Sequence, residues 1–84
     1  MRLTHDPRHN VAYLRLKERP ADGHVRTVKV SESVKIDLDA DGTVFGIELL
    51  NANDQIFAAD GGAFVFVDEA AGRRTEFDIS AGTP

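Results

Sequence analysis

Val34-Lys35-Ile36-Asp37-Leu38-Asp39-Ala40-Asp41-Gly42-Thr43-Val44-Phe45-Gly46-Ile47-Glu48-Leu49-Leu50 decides the fold class. Its period is two. Val34, Ile36 and Leu38 alternate with Lys35, Asp37 and Asp39, and Phe45, Ile47 and Leu49 alternate with Val44, Gly46 and Glu48. Strict alternation marks strands that bury one face. Between the two runs, Asp41-Gly42 supplies the positive backbone angles that a two-residue hairpin turn demands. With that loop, Leu38 faces Phe45, Ile36 faces Ile47 and Val34 faces Leu49, while Lys35 meets Glu48 on the other face. Each such pair contributes about 0.2–1 kcal/mol over an alanine pair. A one-residue slip would set Val34 against Glu48 and Ile36 against Gly46. A four-residue loop keeps the same faces.

The same period extends outward. Val28 and Val30 mark a strand from about Val25, linked to the hairpin by Ser31-Glu32-Ser33. Ala12, Leu14 and Leu16 alternate with Tyr13, Arg15 and Lys17, and Arg2 to His5 form a short first strand before an Asp6-Pro7 turn. A rival reading of residues 6–18 has Asp6 cap a helix with Pro7 at its first position. Arg19 to Gly23 is a loop. Near residues 51–60 the apolar spacing allows one short helix, ended by Asp60-Gly61-Gly62. Ala63 to Val67 and Arg74 to Ile79 make a second hairpin with a longer loop around Gly72. Phe64 and Phe66 share a face with Phe77 and Ile79, and Val65 and Val67 point the other way. Both faces of that strand therefore look buried, by a dimer contact or a helix lying across it. The expectation is a mainly β protein: an antiparallel meander of about five to seven short strands with hairpins and at most one short helix.

A resemblance supports this reading. His5-Asp6-Pro7, Tyr13-Leu14-Arg15-Leu16, Val34 to Gly42 and Val44 to Ala52 resemble a small bacterial family known as domain of unknown function 2283. Its hallmark is an aspartate-proline turn, a tyrosine-bearing strand, an acidic strand and then D-x-D-G-x-hydrophobic-x-G-I-E-hydrophobic-L with a small residue. The match covers about Met1 to Ala52, and the G-I-E-L-L run is its most specific part. His5 stands where the family often has an aromatic. Members are often shorter, so Asn53 to Pro84 lies largely outside the resemblance. The family carries no established activity, so the resemblance implies a fold and no function.

Size and composition narrow the functional classes. With 84 residues, one domain spanning 1–84 is expected. Such a chain buries roughly 60–65% of the surface that its unfolded form exposes, which leaves a thin core. Cysteine is absent, which excludes disulfides, cysteine nucleophiles and cysteine metal sites. An oligomer or a bound partner is therefore expected to support so small a scaffold. The net charge of −4 is uneven. Residues 1–30 carry seven cations against three anions; the rest carries three cations against eleven anions. Phosphates are repelled by most of such a surface, which argues against nucleic-acid binding. Only Arg2, Arg8, Arg15, Lys17 and Arg19 favour it, with Tyr13 as the one aromatic among them for base stacking. The longest apolar stretch, Ala63 to Val67, is far short of a membrane span or a signal core. A cytoplasmic protein is expected.

Three motifs bear on chemistry. Asp37-x-Asp39-x-Asp41-Gly42, five residues and then Glu48 fits a calcium-binding EF-hand loop. Calcium wants several oxygens and a bidentate final glutamate. That loop needs a helix on each side, however, and both flanks here have the strand period. A solvated face and turn chemistry also account for the carboxylates. His5, His9 and His24 are possible zinc ligands, although Pro7 interrupts the helical spacing of the first two. Asp37 or Asp39 with Glu48 is a possible carboxylate pair for acid–base work. No serine or threonine lies in a nucleophile motif.

The leading functional expectation is a non-enzymatic protein-interaction module, using Phe64, Val65, Phe66, Val67 and Phe77. Its partner would be a second copy or another small protein, with no cofactor. One alternative is an antitoxin-like partner of a basic toxin ribonuclease, suited by the acidic surface. The other is a calcium- or metal-binding domain through Asp37, Asp39, Asp41 and Glu48.

Overall fold

Each alternating run becomes a strand in the computed structural model, which describes residues 1–57 and 62–79. The strands are β1 (Arg2–Asp6), β2 (Val11–Arg15), β3 (Arg26–Lys29), β4 (Val34–Leu38), β5 (Val44–Leu50), β6 (Ala63–Asp68) and β7 (Arg73–Asp78). β1 to β5 form one sheet in the order β1-β2-β5-β4-β3, and β6 pairs with β7 in a separate two-stranded sheet. All pairings are antiparallel. β1–β2 is one hairpin, and β3, β4 and β5 are a meander. The chain from Leu16 to Val25 carries β3 past β5 and β4 to the far edge.

Residues 6–18 contain a turn and a strand, not a helix. Asp6 caps the turn by accepting from the backbone N–H of Arg8 (3.0 Å) and His9 (3.2 Å). This is an Asx turn, which the short carboxylate forms as readily as a helix cap. A single π-helical turn, Asn53–Phe57, stands in the expected helical region. The expected helix end at Asp60-Gly61 lies outside the described residues.

The central hairpin keeps Val34 opposite Leu49, Lys35 opposite Glu48 and Ile36 opposite Ile47. It departs from the expected register at Leu38, which pairs with Val44 and not with Phe45. The loop has three residues. Gly42 N–H donates to Asp39 C=O (2.9 Å), Asp39 N–H donates to Thr43 C=O (2.8 Å), and Gly42 sits at φ +85°. That is a tight turn followed by a left-handed glycine. The odd loop would reverse every face beyond it, so one extra residue is absorbed as a bulge. The Phe45 carbonyl is retained for β2's side, where it accepts from Leu16 N–H (2.8 Å).

Registers across the sheet line up one apolar row: Leu3, Leu14, Ile47, Ile36 and Val28, one residue per strand. His5, Ala12, Leu49 and Val34 form the row beside it. The opposite face holds Arg2, Arg15, Gly46, Asp37 and Thr27 in one row and Thr4, Tyr13, Glu48, Lys35 and Lys29 in the next. Tyr13 reaches diagonally over Gly46 and donates from its hydroxyl to Asp37 Oδ2 (2.6 Å). Thr27 Oγ1 donates to the other oxygen (2.6 Å). A Cβ at position 46 would come within 2.7 Å of Tyr13 Cε1 and nearer still to Cζ and the hydroxyl oxygen. Gly46 is therefore the floor on which the ring lies.

Two polar joints tie loops to this sheet. Asp39 accepts from Ala21 N–H (2.8 Å), Ala40 N–H (2.8 Å) and Lys17 Nζ (2.9 Å), and its side chain is 1% exposed. It pins the β2–β3 crossing to the hairpin turn. Asn10 and Asn51 both adopt left-handed backbone (φ 58° and 57°). Asn10 Nδ2 donates to Asn51 Oδ1 (3.0 Å), and the Asn10 side-chain oxygen accepts from Asn53 N–H (2.6 Å). The β1–β2 turn and the end of β5 are thereby joined.

Gly46→Ala is expected to destabilise the protein by about 1–3 kcal/mol, the usual cost of forcing a methyl into filled space. Urea denaturation of Gly46→Ala, Tyr13→Ala and the double variant tests this. In the double variant the clash is gone, so the two effects should fall well short of additive. Strict additivity would show that the ring does not lie on position 46.

Candidate functional site

The row Leu3-Leu14-Ile47-Ile36-Val28 and its neighbour form the apolar face of a single sheet, with no second layer packed across it among the described residues. Of that face only Ala12 is buried, at 1% exposure. Among the described residues Ala52 is the one other buried hydrophobic residue, and no large side chain is fully buried. A face this apolar normally packs on another layer.

The β6–β7 hairpin lies at one end of this face. Phe64 stands opposite Phe77 and Phe66 opposite Thr75, on one side of the hairpin. The Phe64 and Phe77 rings tilt at 47° with centroids 6.3 Å apart, within the range of a favourable aromatic pair. Val65 faces Glu76 and Val67 faces Arg74 on the other side. The sequence makes this strand look buried on both faces, yet within one chain all five residues singled out there are exposed. Phe66 is the most open, at 58%, and Val65 the least, at 37%. Burial inferred from side-chain chemistry needs a covering surface, and no described helix or strand of this chain supplies it. A groove of about 500 Å³ separates hairpin and sheet, walled by Met1, Leu3, Leu14, Phe64, Phe77 and Ile79, with Asp78 its one charged side chain. Leu3, Leu14 and Ile79 enter through register, a long-range property that local pattern does not reveal.

The acidic residues do not come together as one cage. Asp37 is held by Tyr13 and Thr27 in the middle of the polar face. Glu48 stands between Tyr13 and Lys35 in the strand pairing. Asp41 accepts from Thr43 N–H (3.0 Å) and Thr43 Oγ1 (2.6 Å) within the turn. Asp39 is enclosed with Lys17, which also lies 3.8 Å from Asp41. Among the described residues no group of three or more His, Asp or Glu side chains is placed to hold a metal ion. The histidines take separate partners: His5 meets Asn53 (3.1 Å) and His9 meets Asp6 (2.7 Å). His24 lies in the β2–β3 loop, where its N–H donates to Asp22 (3.1 Å).

The cationic residues also separate. Arg2 is directly opposite Arg15, beside a shallow depression of about 220 Å³ that Lys17 and Glu18 also line. Lys17 is committed to Asp39, and one side of the Tyr13 ring is against Gly46. No described helix is long and apolar enough to cross a membrane.

A profile of the family described as Protein of unknown function (DUF2283) matches residues 2–53. The chain belongs to that family. No curated protein and no solved structure matches it. The DUF2283 match covers β1 through β5 and ends at Asn53, the residue whose N–H the Asn10 side chain holds. The five-stranded sheet is thus the DUF2283 unit, and the β6–β7 hairpin lies beyond it. The glycine of G-I-E, the tyrosine of β2 and the first acidic residue of β4 are one structural contact.

Two titrations follow from these environments. Lys17's ammonium, with the Ala21 and Ala40 amides, holds the Asp39 carboxyl down at about 2, against an ordinary 3.8. Asp39's contribution to stability is complete above about pH 4 and is lost as pH falls through about 2. Asp39→Asn should flatten the acid limb of urea midpoints between those values; parallel limbs would contradict it. Desolvation and the bond to Asp37 push the Tyr13 hydroxyl well above its ordinary 10.0. That contribution is complete below pH 10 and is lost as pH climbs toward the raised value. Tyr13 is the only tyrosine and tryptophan is absent, so ultraviolet tyrosinate absorbance reports it alone. The native protein should titrate well above pH 10 and the urea-unfolded chain near it; coincident curves would mean the Tyr13–Asp37 bond is not made in solution.

Proposed function

We propose that this protein is a non-enzymatic protein-interaction module that offers the apolar face of its sheet to another protein surface. One observation carries the reading: a row of aliphatic side chains crosses all five strands, and only Ala12 on that face is buried. The physical reason is the thin interior of a small chain. A chain without disulfides that leaves its main apolar face open gains stability from a partner. The polar face supports the same reading. Asp37 on that face is tied to Tyr13 and Thr27, and Asp39 and Asp41 in the turn to Lys17 and Thr43, which serves architecture.

The test is solution mass by light scattering, for the protein alone and after mixing with the product of the adjacent gene. The expected result is a complex: a multiple of the 9.2 kDa chain, or a stable pair with the neighbour. A mass gained only with a small basic neighbour would select the antitoxin-like version. Ile36→Lys, in the middle of the face, should abolish either complex. A monomer under both conditions, with Ile36→Lys melting like the parent protein, would overturn the reading.

A further inference from the structure

We infer that the surface covering this face is a second copy of the chain, docked so that Phe66 of each hairpin enters the groove of the other copy. The inference rests on the interaction-module reading and names its occupant.

Area comes first. The chain exposes 6152 Å². A compact monomer of 9.2 kDa would expose roughly 4900 Å². The difference is of the order of the ~800 Å² that each partner contributes to a standard interface. One interface of ordinary size, at about 800 Å² per partner, would remove the larger part of that excess.

Shape and chemistry identify the occupant as the chain itself. The groove of about 500 Å³ is walled by Leu3 and Leu14 of the sheet and Phe64 and Phe77 of the hairpin. That volume is several times the ~150 Å³ of an apolar cavity that holds a benzene ring. The same molecule carries an unspent aromatic ring. Phe66 shares the hairpin face of Phe64 and Phe77, is not among the groove's walls, and is 58% exposed. A two-fold arrangement uses both features twice, since residue and pocket exchange between copies. Aromatic anchors seated in apolar pockets dominate such interfaces. Charge favours it as well. The described hairpin, residues 62–79, carries Asp68, Glu69, Glu76 and Asp78 against Arg73 and Arg74. The β1–β2 hairpin that walls the groove carries Arg2, Arg8 and Arg15 against Asp6. Opposite net charges therefore approach each other when one copy's β6–β7 hairpin meets the other's β1–β2 pair.

The experiment uses the absence of native cysteine. Phe66→Cys and Leu3→Cys are made in two separately tagged chains, mixed under reducing conditions and then oxidised. Each chain has one thiol, so any disulfide is intermolecular. The expected result is a dimer by light scattering, with the mixed Phe66→Cys/Leu3→Cys disulfide as the main product. In the cysteine-free chain, Phe66→Asp should weaken the dimer at least about thirty-fold while leaving the circular dichroism spectrum intact. A dimer that forms no mixed disulfide and tolerates Phe66→Asp would overturn this docking and leave the interaction-module reading standing. A folded monomer alone, with a complex only on adding the neighbour, would overturn the second copy as occupant and still support that reading.

Discussion

Tyr13 lies across Gly46, and this contact joins the two halves of the sheet. β1 and β2 close on themselves as a hairpin, and so do β3, β4 and β5. Only the β2–β5 pairing makes them one sheet. Tyr13 comes from β2, Gly46 from β5 and Asp37 from β4, with Thr27 of β3 donating to the same carboxylate. Tyr13 and Asp37 together therefore register four strands. The ring covers the weak point that a glycine leaves in a strand, and its hydroxyl finds the acceptor that a partly buried phenol needs. The restriction on position 46 follows from volume alone.

The second joint works on the loops. β3 reaches the far edge only because the chain crosses the ends of β5 and β4, and a crossing strap needs an anchor. Asp39 supplies it with three donors from three places: Lys17, Ala21 and Ala40. The aspartates that imitate a calcium loop have the same explanation. A tight turn needs short acceptor side chains, and an alternating strand exposes acidic residues on one face, which together produce the spacing. Asn10 and Asn51 add a third joint. The amide side chain tolerates left-handed backbone and can bond both as donor and as acceptor.

These joints lie on the polar face and in the loops, and none of them on the apolar face. The contrast gives the molecule its character. Its specific contacts hold one layer in register, while the apolar face has no second layer on it among the described residues. The β6–β7 hairpin, which lies beyond the DUF2283 unit, adds three phenylalanines on one side and two valines on the other.

Strand identity, the inner face of each strand and the Val34–Leu49, Lys35–Glu48 and Ile36–Ile47 pairs were legible in the sequence, because alternation and turn chemistry are local. The family was legible too, through Asp39 to Leu50. The Leu38–Val44 pairing was not. Loop length depends on how the turn backbone fits Asp39's other bonds, and the bulge at Phe45 compensates for it. The placement of β2 beside β5 was hidden for the same kind of reason: it follows from contacts among residues far apart in the chain. What covers Phe64 to Val67 was not legible, because composition shows that a side chain prefers burial, while only the assembled fold shows whether the chain itself provides a cover. The sequence by itself determined a β protein with one apolar face per strand, through local sterics and period. Tertiary structure decided which strands are neighbours, which carboxylates are already engaged and where the open groove lies, because each depends on register summed across several strands.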